Sequence, residues 1–194
     1  LTYQWLHSED YSMLKYSVGH FADFYRGLKN IAELLEGVEL PPAIQLYIDR
    51  INGILREEPM QRLADSEKGK KFSNRQNLYF GYHLRGRYKS NTLELIDIYS
   101  RLDAWYSMAV AVKTYGLSFP EFVEQDTALV DAKGLYHILL SKPVAYDMQM
   151  NPEHNFLFLT GANMAGKSTL IKAVGSAVFL AHVGMGVPAQ NLKL

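Results

Sequence analysis

From Tyr11 to Glu36 the apolar residues Leu14, Val18, Phe21, Tyr25, Leu28, Ile31 and Leu35 recur at intervals of three and four. That spacing puts them on one face of an α-helix. Asp10 stands where an N-cap belongs, and Gly37 stands where the helix should end. A second stripe, Ile44, Ile48, Ile51 and Leu55, follows Pro41 and Pro42 and is interrupted by Pro59. Proline suits a first helical turn because the N–H it lacks would have no partner there. Asn91 with Glu94 three residues on reads as a capping box. Leu95, Ile98, Leu102, Trp105, Ala109 and Val112 then trace one face of a third long helix that ends near Gly116. Between the second and third helices the periodicity lapses.

After Gly116 the texture changes to Pro120, turn residues, and short apolar runs at Leu135 to Leu140 and Phe156 to Leu159 that suggest short strands. A boundary near Leu117 follows, with a long-helix domain at 1–116 and a second domain at 117–194. The expected fold class is mainly α, with short strands in the second domain. No internal repeat or low-complexity segment is evident.

Composition narrows the classes. Lys plus Arg and Asp plus Glu both total 20, so any nucleic-acid contact must come from local clustering. The absence of cysteine excludes disulfides and thiolate metal sites and fits a reducing compartment, with cytoplasmic as the default expectation. Leu1 to Asp10 lacks the pattern of a signal peptide, and no apolar run reaches membrane-spanning length. The first residue, Leu1, and the unremarkable last four, Asn191 to Leu194, suggest a piece excised from a larger protein.

The chemistry concentrates in one place. Asn155-Phe-Leu-Phe-Leu159 leads into Thr160-Gly-Ala-Asn-Met-Ala-Gly-Lys-Ser-Thr169, which fills every fixed position of G-x-x-x-x-G-K-[ST] ahead of a helical stretch from Lys167 to about Val183. Gly161 and Gly166 let the backbone curl until its N–H groups face phosphate oxygens, and the start of the helix adds its dipole. Lys167 should reach the β- and γ-phosphates of ATP, and the Ser168 hydroxyl suits Mg²⁺. The alternative is a glycine turn with Lys167 as a solvated charge.

Leu159-Thr-Gly-Ala-Asn-Met-Ala-Gly-Lys-Ser-Thr169 closely resembles the MutS form of this loop, LTGPNMGGKST, in which Asn163-Met164 is the part ordinary P-loops do not share. Val187-Pro-Ala-Gln190 resembles the family's VPAQ, and the helix into Tyr115-Gly-Leu-Ser-Phe-Pro120 resembles the passage from lever helix to ATPase domain. The resemblance covers about half the chain, whose first 90 residues share only helical character with the family. It implies a helical core or lever domain at 1–116, followed at 117–194 by the truncated N-terminal part of an α/β P-loop ATPase domain, with a nucleotide site of Gly161, Ala162, Asn163, Met164, Ala165, Gly166, Lys167, Ser168 and Thr169. Within that site Asn163 would approach the terminal phosphate and Ser168 would hold Mg²⁺. Ala162 replaces the family's proline and Ala165 its glycine, which bears on loop stiffness and on the backbone angles at 165. The nucleotide-stacking aromatic should fall near Pro143-Val-Ala-Tyr146, where Tyr146 is the aromatic present.

The family also implies double-stranded DNA, mismatched or branched, as partner, and a homodimeric, DNA-dependent ATPase as the intact parent. Hydrolysis needs an apolar strand ending in acidic residues, and nothing after Ser168 supplies one, so this chain alone should not turn over ATP and no catalytic residue is assigned. Lys68, Lys70, Lys71, Arg75, Arg85, Arg87 and Lys89 form a basic stretch without acidic residues, interleaved with Phe72, Tyr79, Phe80, Tyr82 and Tyr88. It lies where the family's chain turns towards a DNA clamp. Its cations could neutralise phosphates; the alternative is a solvated loop whose aromatics plug into the helical core. About 25 residues between the flanking helices are too few for a full clamp, which looks reduced or absent. A MutS-like paralogue acting on branched or recombining DNA is therefore a second reading, and a helical interaction protein with a non-functional P-loop is a third. His7, His20, His83, His137, His154 and His182 lack metal-ligand spacing. Trp5 and Trp105 read as core residues, and Asp97 and Asp103 as solvated charges.

Overall fold

The computed structural model describes residues 8–194. His7, Trp5 and most of the segment considered for a leader lie outside the described residues. The protein is mainly helical. In chain order the elements are α1 (Ser8–Leu34), α2 (Pro42–Leu55), α3 (Met60–Ala64), α4 (Asn74–Arg85), α5 (Lys89–Tyr115), β1 (Val130–Leu135), β2 (Tyr146–Met150), α6 (Lys167–His182) and β3 (Asn191–Lys193). The chain divides into two compact units, one up to Asp103 and one from Ala104 onward. No described helix is long and apolar enough to cross a membrane.

In the first unit α1 buries Val18, Tyr25 and Leu28 against Ile48, Ile51 and Ile54 of α2, Met60 and Leu63 of α3, Phe80 of α4 and Leu95 of α5. Each fully buried aliphatic or aromatic side chain stabilises by about 1.5–3 kcal/mol relative to exposure. Pro41 caps α2 with Pro42 in its first turn, as the sequence suggests. Buried Tyr25 and Thr92 are paired, whereas Asn77 Oδ1 and His83 Nδ1 are buried without a hydrogen-bond partner. Thr92 Oγ1 donates to Tyr88 O at 2.9 Å, so at the 2.7 Å contact between Tyr25 Oη and Thr92 Oγ1 the tyrosine is the donor. Burial pushes the Tyr25 hydroxyl up to about 12.

The stretch read as aperiodic is largely helical. Ser73, not Asn91, forms the capping box: its side chain accepts from Gln76 N while the Gln76 side chain accepts from Ser73 N at 2.9 Å. Asn91 and Glu94 fall inside α5, which begins at Lys89, and Glu94 instead takes the Arg50 guanidinium at 2.8 Å. That bond holds its carboxyl below the usual range. The C-terminal half of α5 does not continue the buried stripe: Leu95 and Ile98 are buried, whereas Trp105 is 38% exposed and so is not the core residue expected.

In the second unit β1 is the central strand of a three-stranded antiparallel sheet of order β2-β1-β3. Asn191–Lys193 thus forms an edge strand, although the last four residues suggested no element. The apolar run from Leu135 begins where β1 ends, and Phe156–Leu159 forms no strand, since apolar residues give strand propensity but not a partner ladder. Phe156 and Phe158 are more than three-quarters exposed. The register of β1 against β2 shifts between Ala132 and Leu135, where Gly134 adopts φ 61°. Asp147 Oδ1 accepts the Gly134 N–H at 2.7 Å, satisfying the donor that the irregularity takes out of the ladder. Ala173, Ala177 and Ala181, one turn apart along α6, pack with Ala132, Leu135 and Leu192 of the sheet.

Candidate functional site

The loop from Gly161 to Gly166 is shaped by three residues in left-handed or equivalent backbone: Gly161 at φ 145°, Met164 at φ 66° and Gly166 at φ 89°. The two glycines adopt these angles without penalty, whereas a side-chain-bearing residue such as Met164 pays about 1–2 kcal/mol. Strain of this kind concentrates at ligand clamps. Ala165 stays outside the left-handed region, so the alanine where the related loops carry glycine introduces no backbone conflict. The Ala165 N–H bonds Ala162 O at 3.3 Å, closing the turn.

Gly166 is also the N-cap of α6 and, lacking a side chain, gives the first turn no capping bond. The N–H groups at the start of α6 therefore keep their capacity for an incoming acceptor, and the helix dipole favours a negative one. A Cβ at 166 would lie 3.2 Å from Tyr146 Oη, so close packing as well as backbone angle calls for glycine there. The same contact sets Tyr146, the first residue of β2, beside the loop. Lys167 folds over it: its ammonium donates to Gly161 O at 2.6 Å and Ala162 O at 2.7 Å. A cation is thereby held at the loop's own rim, where it can turn to an anion without crossing the molecule. Ala162, Asn163, Met164 and Ser168 are exposed, while Gly166, Lys167 and Thr169 are half-buried.

The Val187-Pro-Ala-Gln190 segment is structural here. Ser118 and Val187 exchange backbone hydrogen bonds at 3.1 and 2.8 Å, and Ser118 Oγ donates to Ala189 O at 2.7 Å. Beside it, a Cβ on Gly186 would meet Val112 Cγ2 at 2.8 Å and Leu117 Cβ at 2.9 Å. The end of α5 is thus packed tightly onto the chain that follows α6.

The seven basic residues of the Lys68–Lys89 stretch do not form one patch. Lys68, Lys70 and Lys71 sit in the connection after α3 and Arg75 in the first turn of α4, whereas Arg85, Arg87 and Lys89 lie at its other end. Along the helix Arg75 and Arg85 are about 15 Å of rise apart. All seven are exposed, while Phe72, Phe80 and Tyr88 are buried in the core. Tyr82 points to solvent, and the Arg87 guanidinium lies 5.4 Å from the Tyr88 ring centre. Sequence reading missed the α1 side chains Lys15, His20 and Arg26 near Lys70, because some fifty residues separate them along the chain. Among the described residues no group of three His, Cys, Asp or Glu side chains is arranged to hold a metal.

The site is thus a glycine-rich loop with its lysine folded over the start of a helix, on a mainly helical chain. Residues 157–194, which contain that loop, match the family MutS domain V. The chain is 31% identical over 112 residues to MutS protein homolog 5 of Caenorhabditis elegans, an alignment covering 55% of this chain and 8% of the relative. It is 32% identical over 96 residues to the DNA mismatch repair protein MutS of Thermosipho melanesiensis, covering 49% of this chain and 12% of the relative. To the DNA-binding protein MutS2 of Pyrococcus furiosus it is 31% identical over 102 residues, covering 49% and 18%. The chain is similar to MutS proteins over about half its length and spans between 8% and 18% of the length of these three relatives.

Proposed function

We propose that the loop from Gly161 to Thr169 binds the phosphates of ATP with Mg²⁺, and that the protein couples nucleotide state to the binding of mismatched DNA as part of a MutS-like repair ATPase. The observation that carries this reading is the Lys167 ammonium held at the rim of a loop whose glycines free the backbone donors around it. The residues fit the group. Gly161, Met164 and Gly166 give the curvature a phosphate cradle requires, the uncapped start of α6 supplies donors, and the exposed Ser168 hydroxyl supplies an oxygen ligand of the kind Mg²⁺ takes. Lys167 would leave two carbonyls for phosphate oxygens, and exposed Asn163 would offer its amide to the terminal phosphate. ATP with Mg²⁺ supplies a phosphoanhydride whose charge these donors can read. The strand after α6 carries Asn191, Leu192 and Lys193 and no carboxylate, so the expectation for this chain by itself is binding without turnover.

Coupling would run through α5, one continuous helix from Lys89 to Tyr115 whose later turns pack on Gly186 and Leu117. Nucleotide should therefore slow hydrogen exchange in residues 93–115 of the intact protein; exchange unchanged by a saturating ATP analogue would refute the coupling. The intact protein would act as a homodimer, in keeping with the family. A second reading, a MutS-like protein acting on branched or recombining DNA, is favoured by the short α3 and α4, which alone bridge α2 and α5 where a full clamp would need long helices. Equal affinity for matched and mismatched duplex with preference for a branched one would select it. An intact protein that ignores ATP analogues would instead be a helical interaction protein with a silent loop.

A further inference from the structure

Away from the nucleotide loop, a cleft of about 420 Å³ opens between one side of α1 and the turn that follows α3. Lys15 and Arg26 of α1 and Lys70 of the turn line it, together with His20 and a single carboxylate, Asp23. Asp23 is taken up by Arg26, whose Nη1 donates to Oδ1 at 2.6 Å. The lining therefore carries three cations against one anion that is already paired, an excess of two positive charges in a protein whose formal net charge is zero.

The cleft is framed before any ligand arrives. Arg26 gives three further donors to the turn: Nε to Ser66 O at 2.8 Å, and Nη2 to Ser66 Oγ and Glu67 O, each at 3.1 Å. The turn closes through Lys70 N to Glu67 O at 3.1 Å, with Gly69 at φ 76°. A third tie holds the same end of α3 to α1, Lys29 Nζ to Asp65 Oδ1 at 2.7 Å. Arg26 thus positions the turn, while the exposed Lys15 and Lys70 ammonium groups remain on flexible stems. Gly19 lines the cleft on the α1 side, and a Cβ there would meet nothing within 4 Å.

We propose that this cleft binds a phosphodiester of a nucleic-acid backbone, with Lys15 and Lys70 as the phosphate contacts and the His20 ring as a further donor. The chemistry is that of a phosphate site, and the exposed Lys68 and Lys71 on either side of the Gly69-Lys70 pair extend the positive surface past a single anion, which favours a polymer over a free phosphate. The inference rests on the reading of the protein as a DNA-handling member of its family and does not depend on nucleotide binding. It divides the basic stretch: the Lys68–Lys71 end contacts the backbone, and Arg85, Arg87 and Lys89 are outside the site.

The test is binding of the full chain to a fluorescent duplex without nucleotide, between about 50 and 200 mM salt. Lys15→Gln with Lys70→Gln should reduce the slope of log K against log salt by about one to two and weaken low-salt binding about tenfold or more. Gly19→Glu, which adds a carboxylate to the cleft at a helix position with room for it, should weaken binding comparably while circular dichroism stays unchanged. Lys172→Gln on α6 should leave the slope unaltered. Parent-like binding by both cleft variants, or no duplex binding by the unmodified chain, would overturn the proposal. So would displacement by inorganic phosphate beyond that by chloride at equal ionic strength, because the cleft would then be a free-anion site. The assay contains no nucleotide, so failure of the ATP reading and failure of this one are separable.

Discussion

The two units of the chain bury opposite kinds of residue. Up to Asp103 the interior holds large side chains, with Tyr25, Phe80, Met60 and Leu63 at most 1% exposed. From Ala104 onward the buried positions are mostly small, among them Ala132, Ala173, Ala177, Ala181 and Ala189, while Phe119, Phe122, Phe156, Phe158 and Phe179 are all more than half exposed. Apolar area removed from water stabilises a fold and apolar area left outside does not. The first unit is therefore held by its own core. The second sets its candidate nucleotide loop on a thin core and leaves its largest apolar groups at the surface.

The sharpest way to break that contrast is a pair of truncations. Phe80→Ala should cost about 3–5 kcal/mol, since the ring is buried with its centre 5.3 Å from that of Phe72. Phe158→Ala should change stability by no more than about 0.5 kcal/mol. Urea titrations of the full chain followed by circular dichroism would show it, and comparable losses in the two variants would sink the contrast. Next in size is Gly186→Ala, whose Cβ would press on Leu117 Cβ and Val112. Overpacking of this sort costs about 1–3 kcal/mol, and it should also loosen the end of α5 in hydrogen exchange.

A smaller effect is expected from Tyr25→Phe, about 1 kcal/mol at neutral pH for the hydrogen bond to Thr92. Its pH dependence has a definite sign. The folded state holds the Tyr25 proton more tightly than the ordinary value of 10, up to about 12, so its contribution is complete below pH 10 and is lost as pH rises through 12. The difference in stability between Tyr25→Phe and the parent should shift in favour of the variant across that window; a pH-independent difference would contradict the buried-phenol account. At the small end, Ser73→Ala should cost about 0.5–1 kcal/mol by removing half of an exposed capping box at α4, measurable as a lower thermal midpoint.

What was legible in the sequence follows from the same contrast. α1 and α2 appear in the pattern because their stripes are long and unbroken, and α6 is legible because it follows the G-x-x-x-x-G-K-[ST] loop. α4 is hidden because its buried face is Asn77, Phe80, Gly81 and Leu84, a helical spacing in which two of the four residues are not hydrophobic. The Ser73-x-x-Gln76 signature was the available signal. β1 is disguised by Lys133 and Gly134 at its irregularity. β2 alternates Tyr146, Met148 and Met150 inward with Asp147 and Gln149 outward, a readable pattern that the nearby prolines obscured. Phe156–Leu159 has strand composition but no described partner.

The backbone of the loop was readable in the sequence, since Gly161 and Gly166 stand where it takes positive φ. Its surroundings were not. The contact of Tyr146 with Gly166, the Asp147 bond to Gly134, and the meeting of Lys15 with Lys70 join residues from separate elements, and only the fold brings them together.

The central claim is that Lys167 and the glycine loop hold the phosphates of ATP. The most direct measurement is titration of the full chain with a fluorescent, non-hydrolysable ATP analogue, with and without Mg²⁺, beside Lys167→Ala and Ser168→Ala. The account predicts saturable binding that Lys167→Ala abolishes and whose Mg²⁺ dependence Ser168→Ala removes. Binding of equal strength by the parent and Lys167→Ala would contradict it.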